Sequence, residues 1–376
     1  MIRKELQIVA DENISGLESF EKLANVSKVS GRLMSAENIK NADALLVRSV
    51  SKINKQLLEG SAVKFVASAT SGVDHIDVNY LQENNIQFAH APGSNANSVV
   101  QYVFSSMAFL AKKYDFDWRE LSVGIIGAGH VGGLLAEYLE KLNIDFVIYD
   151  PFLDENHLYS DKFVPFEKVL KQDIVTVHTP LTREGPYPTC HLFDENVLQG
   201  LKSDSILINT SRGAVFDNQA LHAEYKNHAW KCVLDVWENE PDIFMPLLSQ
   251  VDIGTSHIAG YSYEGKEQGT AQIYQAFADF FCLNEAPAYP LNAGKKSLNV
   301  AIKKSDIEQI NQVILAAYTI QNDYEKMLKL ASQKSTSSFD DLRKNYPLRR
   351  EFQHYHLDYS GFTAAAGKVL RILGFN

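Results

Sequence analysis

Three closely spaced glycines, Gly127, Gly129 and Gly132, constrain the fold of this chain more than any other part of its sequence. They follow an apolar run at 123–126 and precede an amphipathic helical pattern at 134–141. The first glycine permits a tight turn, the second lets a ligand approach the backbone, and the third lets a helix pack closely on a strand. The pattern predicts a strand, a glycine turn and a helix whose first N–H groups face the turn.

A second apolar run, at 146–149, ends in an acidic residue, Asp150. This acid lies about 20 residues beyond the glycines, where its carboxylate can accept hydrogen bonds from both hydroxyls of an adenosine ribose. It would also repel a 2′-phosphate, so the unit predicts a dinucleotide site for NAD rather than NADP. The predicted cofactor contacts in this unit are Gly127, Gly129, His130, Val131, Gly132 and Asp150.

Apolar runs of strand length alternate with helical patterns along most of the chain. The predicted strands are 6–10, 44–47, 65–68, 86–89, 121–126, 146–149, 174–178, 206–209, 232–235 and 252–255. The predicted helices between and after them include 16–23, 98–112 and 258–282. Such alternation is typical of parallel sheets built from βαβ units, in which ligands bind beyond the carboxyl ends of the strands.

The pattern changes beyond about residue 284. Pro287, Pro290 and Gly294 predict a linker, and after it come a strand-like run at 298–302, a helical pattern at 307–318 and a polar loop at 335–338. We therefore predict an α/β fold with two doubly wound parallel-sheet domains and a C-terminal α+β domain. The predicted bounds are 1–96 with 258–285 for a flavodoxin-like substrate domain, 97–257 for a Rossmann NAD domain, and 286–376 for the C-terminal domain.

Composition excludes several classes of partner. The net charge of −10 over 376 residues disfavours nucleic acid, and no apolar run is long enough to span a bilayer. The three cysteines, Cys190, Cys232 and Cys282, have no metal-ligand spacing and fit a reducing compartment. We expect a cytoplasmic protein with no metal site, no nucleic-acid partner and no membrane partner.

Three later segments place polar residues after predicted strands. They contain Arg212 in the run 209–213, Glu240 in the run 235–241, and His257 in the run 255–260. An arginine, a glutamate and a histidine in this order, together with the glycine turn, resemble the D-isomer-specific 2-hydroxyacid dehydrogenase family. Each residue alone is as readily a structural one; their order and context carry the resemblance.

The resemblance implies that the chain oxidises a 2-hydroxy acid with NAD. It implies that His257 exchanges the hydroxyl proton, that Glu240 orients and stabilises the imidazole, and that Arg212 holds the substrate carboxylate. It also implies further cofactor contacts at Thr179, Thr210, Ser211, Asp235 and Gly260. The implied substrate contacts are Ser49, Thr70, Gly72 and Tyr261.

Within that family, the segments 47–50, 69–75, 91–96 and 257–266 and the C-terminal part resemble the members that oxidise 4-phospho-D-erythronate in pyridoxal 5′-phosphate (vitamin B6) biosynthesis. This closer resemblance implies a small phosphorylated sugar-acid substrate and a homodimer formed through the C-terminal domain.

A phosphorylated substrate needs cations. The available basic residues are Arg48, Lys266, Arg343, Lys344, Arg349 and Arg350. Our hypothesis is that one or more of the arginines contacts the phosphate, within one subunit or across a dimer interface. A solvated basic face is an equally simple explanation of the C-terminal cluster.

Two alternatives remain open at the level of sequence. The first is a dehydrogenase for D-3-phosphoglycerate or another D-2-hydroxy acid, because the first 285 residues do not separate these enzymes. The second is a non-enzymatic NAD-sensing protein similar to corepressors of the same fold. The folded character of the C-terminal segment favours an enzyme.

Overall fold

The alternating runs of the sequence form two parallel sheets, each within a unit of its own. The computed structural model describes residues 6–153, 156–283, 294–301, 303–332 and 338–376. One unit comprises Met1–Asn95 with Tyr263–Ala293, and the other comprises Ala96–Ser262 with Gly294–Asn376.

The strands and helices are numbered in chain order. The strands are β1 (Gln7–Asp11), β2 (Asn25–Val29), β3 (Ala44–Val47), β4 (Phe65–Ser68), β5 (Gln87–His90), β6 (Val123–Ile126), β7 (Phe146–Tyr149), β8 (Ile174–Val177), β9 (Ile206–Asn209), β10 (Lys231–Leu234), β11 (Ile253–Gly254), β12 (Lys296–Ser297) and β13 (Tyr355–His356). The helices are α1 (Leu17–Phe20), α2 (Ala36–Ile39), α3 (Lys55–Leu58), α4 (Val78–Glu83), α5 (Ala96–Tyr114), α6 (His130–Leu142), α7 (Phe166–Val169), α8 (Glu195–Gln199), α9 (Asn218–Tyr225), α10 (Met245–Leu248), α11 (Tyr263–Phe280), α12 (Asp306–Ala317), α13 (Ile320–Ser332), α14 (Phe339–Lys344) and α15 (Ala364–Ile372).

The sheet of the first unit has the order β2-β1-β3-β4-β5, with every pair parallel. This is the flavodoxin-like order, so that part of the predicted fold is confirmed. The sequence did not predict β2. Its five residues, NVSKV, include no fully buried side chain, because the strand lies at the edge of the sheet.

The sheet of the second unit has the order β11-β10-β9-β8-β6-β7, again entirely parallel. An isolated parallel bridge between Ile148 and Phe163 extends it beyond β7. If β6 is counted as the first strand of this unit and the bridge at Phe163 as the third, the order across the sheet is 3-2-1-4-5-6-7, which contains the Rossmann order. The predicted Rossmann sheet is therefore confirmed, and all six of its predicted strands are present.

The C-terminal residues pack on this Rossmann sheet within the same unit. Helix α12 contributes Ile310, Val313 and Ile314 to the core cluster that also holds side chains of α5 and β6. The buried Trp118 donates to Asn311 Oδ1 at 2.8 Å. The predicted helix at 307–318 is confirmed as α12, and a division at 286 into a separate domain stays a prediction.

The predicted strand at 298–302 is wrong. The strand in this region is β12, at residues 296–297, which pairs in parallel with β13. Residues 298–301 have no regular structure, and Leu298 and Val300 pack against the core. Ile302, the predicted linker at 284–293 and most of the predicted loop at 335–338 lie outside the described residues. None of the helices in the described part of the chain is long and apolar enough to cross a membrane.

Candidate active site

The glycine turn after β6 has the geometry that its sequence predicts. Gly127 has a φ of 85°, a region that side chains other than glycine rarely adopt, and its N–H donates to Tyr149 O at 2.9 Å. A Cβ on Gly132 would lie 1.9 Å from the Gly127 carbonyl oxygen, so α6 can approach β6 only with glycine there. A Cβ on Gly129 would meet nothing within 4 Å, which leaves the backbone open to a ligand.

The start of α6 and the end of β7 fit a dinucleotide. His130 and Val131 form the first turn of α6, and no side chain caps that helix end. Asp150 follows β7, where its Oδ2 accepts from the Ala128 N–H at 2.9 Å and its Oδ1 accepts from the Phe152 N–H at 3.1 Å. Asp150 thus ties its own loop to the glycine turn. The uncapped N–H groups suit phosphate oxygens, and the carboxylate suits ribose hydroxyls.

A buried hydroxyl after β8 also fits the cofactor. Thr179 Oγ1 is buried and has no hydrogen-bond partner among the described residues. An unpaired buried hydroxyl costs free energy, which a ligand atom can recover. The residue before it, His178, contacts Thr176 Oγ1 through Nε2 and Thr210 Oγ1 through Nδ1, each at 3.0 Å. Burial lowers the pKa of His178 to about 3, so the ring is neutral and links the loops after β8 and β9.

The loop after β9 carries Arg212 on a buried asparagine. Asn209 Oδ1 accepts from the backbone N–H of Ser211 at 3.0 Å and from its hydroxyl at 2.7 Å. Asn209 Nδ2 donates to the Arg212 carbonyl at 3.1 Å, and Arg212 Nη1 donates back to the Ser211 carbonyl at 2.8 Å. The backbone on both sides of the arginine is therefore fixed by one side chain.

Gly213 brings this loop against the loop after β10. A Cβ at Gly213 would lie 1.8 Å from the carbonyl carbon and oxygen of Trp237 and 2.5 Å from the Glu238 nitrogen. Only glycine permits this approach. The segment that carries Arg212 and the segment that leads to Glu240 are consequently in backbone contact.

His257 and Glu240 form a hydrogen-bonded pair. His257 Nδ1 lies 2.8 Å from Glu240 Oε2, and the other carboxylate oxygen accepts from the Trp237 N–H at 2.9 Å. Burial raises the pKa of Glu240, but the imidazole and the backbone donor outweigh it, so the pKa lies below its usual value. The His257 side chain is 33% exposed and that of Glu240 20%, so the pair is open on the imidazole side. With Nδ1 engaged, Nε2 is the ring nitrogen left for a substrate.

The backbone of His257 is strained, and hydrogen bonds to Asp235 stabilise it. His257 has a φ of 58°, in the left-handed region, and its N–H donates to the Asp235 carbonyl at 2.7 Å. The buried Asp235 carboxylate accepts from the N–H groups of Ile258 and Ala259 at 2.8 and 2.9 Å, and from Thr255 Oγ1 at 2.6 Å. Burial raises the pKa of this carboxyl, although these donors and His257 act against it. Asp235 thus shapes the histidine loop, and its predicted cofactor contact stays a prediction.

All predicted site residues of this unit lie at one edge of its sheet. They follow the carboxyl ends of successive strands: Gly127 to Val131 after β6, Asp150 after β7, Thr179 after β8, Thr210 to Arg212 after β9, Asp235 and Glu240 after β10, and His257, Gly260 and Tyr261 after β11. The structure brings the predicted cofactor residues and the Arg–Glu–His set to a shared edge.

The other three predicted substrate residues belong to the first unit. Ser49 follows β3, and Thr70 and Gly72 follow the neighbouring β4, so they lie at the carboxyl edge of that sheet. Thr70 Oγ1 donates to the Gly72 carbonyl at 3.1 Å and lies 2.7 Å from Ser68 Oγ. Arg48 beside them is bound to the buried Asp11 carboxylate at 3.0 Å.

The C-terminal part of the chain contacts the loop after His257. Arg349 is buried, and its Nη2 donates to the Ala259 carbonyl and to Ser98 Oγ. Its guanidinium lies 4.4 Å from the centroid of the Tyr318 ring. This contact makes Arg349 a support of the backbone before Gly260, and a phosphate contact of Arg349 stays a prediction.

Several residues of the site carry no local signal in the sequence. Tyr102 OH lies 2.7 Å from Thr255 Oγ1, and Trp237 Nε1 donates to the Thr255 carbonyl at 2.8 Å. Together with Asn209, they orient the loops from elements distant in the chain. A polar residue closing an apolar strand, as Asn209 does, was the one available signal.

The glycine turn, Asp150 and the Arg–Glu–His set on a Rossmann sheet define an NAD-dependent dehydrogenase of 2-hydroxy acids. Comparison with known proteins gives the same class. Residues 105–259 match the NAD-binding domain of the D-isomer-specific 2-hydroxyacid dehydrogenases, and residues 295–374 match a domain of unknown function. The predicted cofactor, NAD, is thereby confirmed.

Two full-length relatives refine the class. The chain is 42% identical to erythronate-4-phosphate dehydrogenase of Klebsiella pneumoniae (strain 342), with 99% of this chain and 98% of the relative covered. It is 41% identical to the enzyme of the same name from Saccharophagus degradans, with 98% and 97% covered. The chain belongs to the erythronate-4-phosphate dehydrogenases, a branch of the D-isomer-specific 2-hydroxyacid dehydrogenase family.

Solved structures support the fold. An NAD-bound 3-phosphoglycerate dehydrogenase from Entamoeba histolytica aligns with a TM-score of 0.63 at 22% identity, covering 77% of this chain and 99% of that one. A D-lactate dehydrogenase from Aquifex aeolicus, complexed with NAD and lactic acid, aligns with a TM-score of 0.61 at 23% identity, covering 76% and 100%. At these identities the likeness shows the fold alone.

Proposed function

We propose that this chain oxidises 4-phospho-D-erythronate to (R)-3-hydroxy-2-oxo-4-phosphooxybutanoate with NAD, a step of pyridoxal 5′-phosphate biosynthesis. The observation that carries the proposal is the pairing of His257 Nδ1 with Glu240 Oε2 at 2.8 Å on the edge of an NAD-type sheet. The names of the full-length relatives support the choice of substrate.

In the proposed reaction, Arg212 binds the carboxylate on C1 of the substrate through charge-assisted hydrogen bonds. This contact sets the C2 hydroxyl against His257 Nε2. Ser49, Thr70, Gly72 and Tyr261 are the remaining proposed substrate contacts. Arg212 also stabilises the negative charge that develops on the C2 oxygen as its proton leaves.

The proton of the C2 hydroxyl passes to His257 Nε2, and the C–H bond at C2 breaks with its electron pair. NAD, when bound, would accept the hydride from C2, which would leave C2 as a carbonyl carbon. Glu240 stabilises the imidazolium that forms, because its carboxylate stays ionised and hydrogen-bonded to Nδ1. Imidazole is suited to this exchange because it gains and loses a proton near neutral pH.

The proposed cofactor contacts follow the edge of the sheet. The glycine turn, with His130 and Val131, would bind the pyrophosphate, and Asp150 the adenosine ribose. Thr179, Thr210, Ser211, Asp235 and Gly260 are the further proposed contacts. The buried, unpaired Thr179 hydroxyl supports its place among them.

A substrate comparison tests the proposal. NADH absorbance is followed with 4-phospho-D-erythronate and with 3-phospho-D-glycerate, and we expect kcat/KM to favour the former by at least about tenfold, which is ~1.4 kcal/mol. His257→Asn should abolish turnover and leave the Kd for NAD within about twofold, since the variant keeps the fold. His356→Asn, at an exposed position, is the matched control. Turnover by His257→Asn, or a preference for 3-phosphoglycerate, would contradict the proposal.

We also propose that the protein is a cytoplasmic homodimer formed through residues 286–376. The resemblance to enzymes that dimerise in this way supports the dimer, and the sparse cysteines support a reducing compartment such as the cytoplasm. Light scattering of the full chain should give twice its mass of 42.1 kDa. A monomer mass would refute the dimer.

A further inference from the structure

Helix α14 of the C-terminal part holds Arg343 in a fixed position. Ser338 and Asp341 form a capping box at the start of the helix, with Ser338 N donating to Asp341 Oδ2 at 2.8 Å. Phe339 is buried in the core, and Arg343 lies four residues further, on the same helical face. The Arg343 side chain is consequently only 14% exposed, and its Nη1 lies 3.8 Å from Asp340 Oδ1, one turn earlier on the helix.

The guanidinium of Arg343 lies against Tyr261, the proposed substrate contact after Gly260. Its Cζ is 5.6 Å from the centroid of the Tyr261 ring, within the range of a cation–π contact. Tyr346, from the same C-terminal segment, packs edge-on against Tyr261 with the ring centroids 5.9 Å apart. The surroundings of Tyr261 are therefore built in part by residues 343–346.

Arg343 also acts on the pair that exchanges the proton. Its positive charge contributes to holding the pKa of Glu240 below the usual value, and the charge of Glu240 in turn raises the pKa of Arg343. Tyr261, which the Arg343 guanidinium contacts, lies four residues after His257 in the segment that follows β11. Arg343, Tyr261 and the His257–Glu240 pair consequently belong to one site.

The proposed binding of the carboxylate fixes which end of the site receives the phosphate. In the proposed reaction Arg212 takes the carboxylate on C1 and His257 takes the proton of the C2 hydroxyl. The phosphate on C4 is at the opposite end of the carbon chain from the carboxylate. Tyr261 is the proposed contact that lies beyond His257 in the same loop, and Arg343 adds the positive charge there.

We propose that Arg343 binds the phosphate of the substrate, so that the C-terminal part of the chain supplies a specificity-determining residue to the active site. The inference rests on the proposed function. A guanidinium presents a planar fork of donors that matches phosphate oxygens, and a partly buried one is screened little by solvent. A chain with net charge −10 needs such a local cation to bind a phosphorylated acid.

The neighbouring arginines of the C-terminal part have partners of their own. Arg349 is buried under the Ala259 carbonyl, and Arg350 Nη2 donates to the Gly294 carbonyl at 2.9 Å and lies 3.0 Å from His354 Nδ1. Lys344 is exposed on α14. Lys344 therefore gives a matched control on the same helix, one residue away from Arg343.

The test compares phosphorylated and unphosphorylated substrates. Arg343→Met, Arg343→Lys and Lys344→Met are assayed with 4-phospho-D-erythronate, and D-erythronate is measured in the same assay as a substrate or a competitive inhibitor. We expect Arg343→Met to raise KM for the phosphorylated acid about 10- to 100-fold, the range for a lost charged hydrogen bond. The KM or inhibition constant for D-erythronate should change less than about threefold. The KM of Arg343→Lys for the phosphorylated acid should lie between those of Arg343→Met and the wild type, and Lys344→Met should match the wild type.

Two results would overturn the inference. An equal loss for both acids, mainly in kcat, would show that Arg343 acts through Glu240 and not on the phosphate. A wild-type protein that binds D-erythronate as tightly as 4-phospho-D-erythronate would show that no residue recognises the phosphate. Failure of the proposed function is a separate outcome, because the wild-type protein would then not oxidise 4-phospho-D-erythronate. Thermal melts of Arg343→Met and Arg343→Lys identify any general loss of folding. If Arg343→Met does not fold, the two acids are compared with Arg343→Lys.

Discussion

Glu351 Oε1 accepts a hydrogen bond from Ser262 Oγ at 2.7 Å, although the two residues are 89 positions apart in the chain. The other oxygen of Glu351 accepts from Asn97 Nδ2 at 2.6 Å, at the start of α5. With the bond from Arg349 to the Ala259 carbonyl, these contacts fix the loop that follows His257 from the C-terminal side. The C-terminal part therefore supports the loop that carries His257.

Removing the Arg349 support should weaken both stability and catalysis. Arg349→Met leaves the Ala259 carbonyl and Ser98 Oγ without their charged donor, and we expect the free energy of unfolding to fall by about 1–3 kcal/mol. A less fixed loop places His257 less accurately, so kcat should fall about tenfold, or ~1.4 kcal/mol. Urea unfolding and steady-state kinetics measure the two effects.

Arg350→Met is the control for this prediction. Arg350 contacts the Gly294 carbonyl and His354 and not the loop that carries His257, so stability should change by no more than about 0.5 kcal/mol and kcat should be unchanged. If Arg349→Met lost stability but kept its kcat, the C-terminal part would support the fold without positioning the loop.

The pair of His257 and Glu240 predicts a large effect of a nearly isosteric change. In Glu240→Gln the amide oxygen can still accept from the Trp237 N–H, which leaves the amide N–H₂ facing His257 Nδ1. That donor favours the imidazole tautomer with its proton on Nε2, which cannot accept a proton from the substrate. We expect kcat to fall about 10²- to 10⁴-fold.

A second glutamate–histidine pair in the same region serves as the control. Glu238 Oε1 lies 2.7 Å from His191 Nε2, and its Oε2 accepts from the Asn218 N–H at 2.9 Å. Glu238→Gln should change kcat by no more than about twofold, since neither residue is a proposed site residue. Equal effects of the two glutamine variants would show that Glu240 has only a structural role.

Sequence patterns sufficed for the features that depend on local periodicity. Except for β2, the parallel strands of both sheets are apolar runs, and the glycine turn and the three polar segments follow strands directly, so their shared edge could be predicted. The edge strand β2 and the bridge at Phe163 were not predicted, because an edge residue is buried on fewer sides and needs no apolar run.

The supports of the site could not be predicted, because they join residues far apart in the chain. No motif near Glu351 or Ser262 in the sequence predicts their hydrogen bond. In the sequence, Arg349 is one of several basic residues and can equally be part of a solvated basic face. The left-handed backbone of His257 is likewise imposed by contacts from Asp235. Such features follow from tertiary packing, which a single sequence does not display.

Two glycines of the dinucleotide turn should respond differently to the same substitution. In Gly132→Ala the new methyl group would lie 1.9 Å from the Gly127 carbonyl oxygen, so α6 must shift and we expect a loss of about 1–3 kcal/mol in the free energy of unfolding. In Gly129→Ala the methyl group meets no protein atom within 4 Å. The fold should stay within about 1 kcal/mol of the wild type, while the Kd for NAD rises at least about tenfold.

Urea unfolding without cofactor and titration with NAD separate these effects. The contrast between the two variants is the decisive result, since each is the control of the other. Unchanged NAD affinity in Gly129→Ala would mean that the cofactor does not approach the backbone at this turn.

The buried imidazole of His178 predicts a dependence of stability on pH. Its pKa is lowered from the ordinary 6.5 to about 3, so the folded protein binds fewer protons than the unfolded chain between these values. The stabilising contribution is complete above pH 6.5 and is lost as the pH falls towards 3, by up to about 1.4 kcal/mol for each pH unit. His178→Asn should flatten this part of the profile, measured by urea unfolding at pH 7, 6 and 5, whereas His356→Asn at an exposed position should leave it unchanged. An equal slope in His178→Asn and the wild type would mean that another group causes the acid sensitivity.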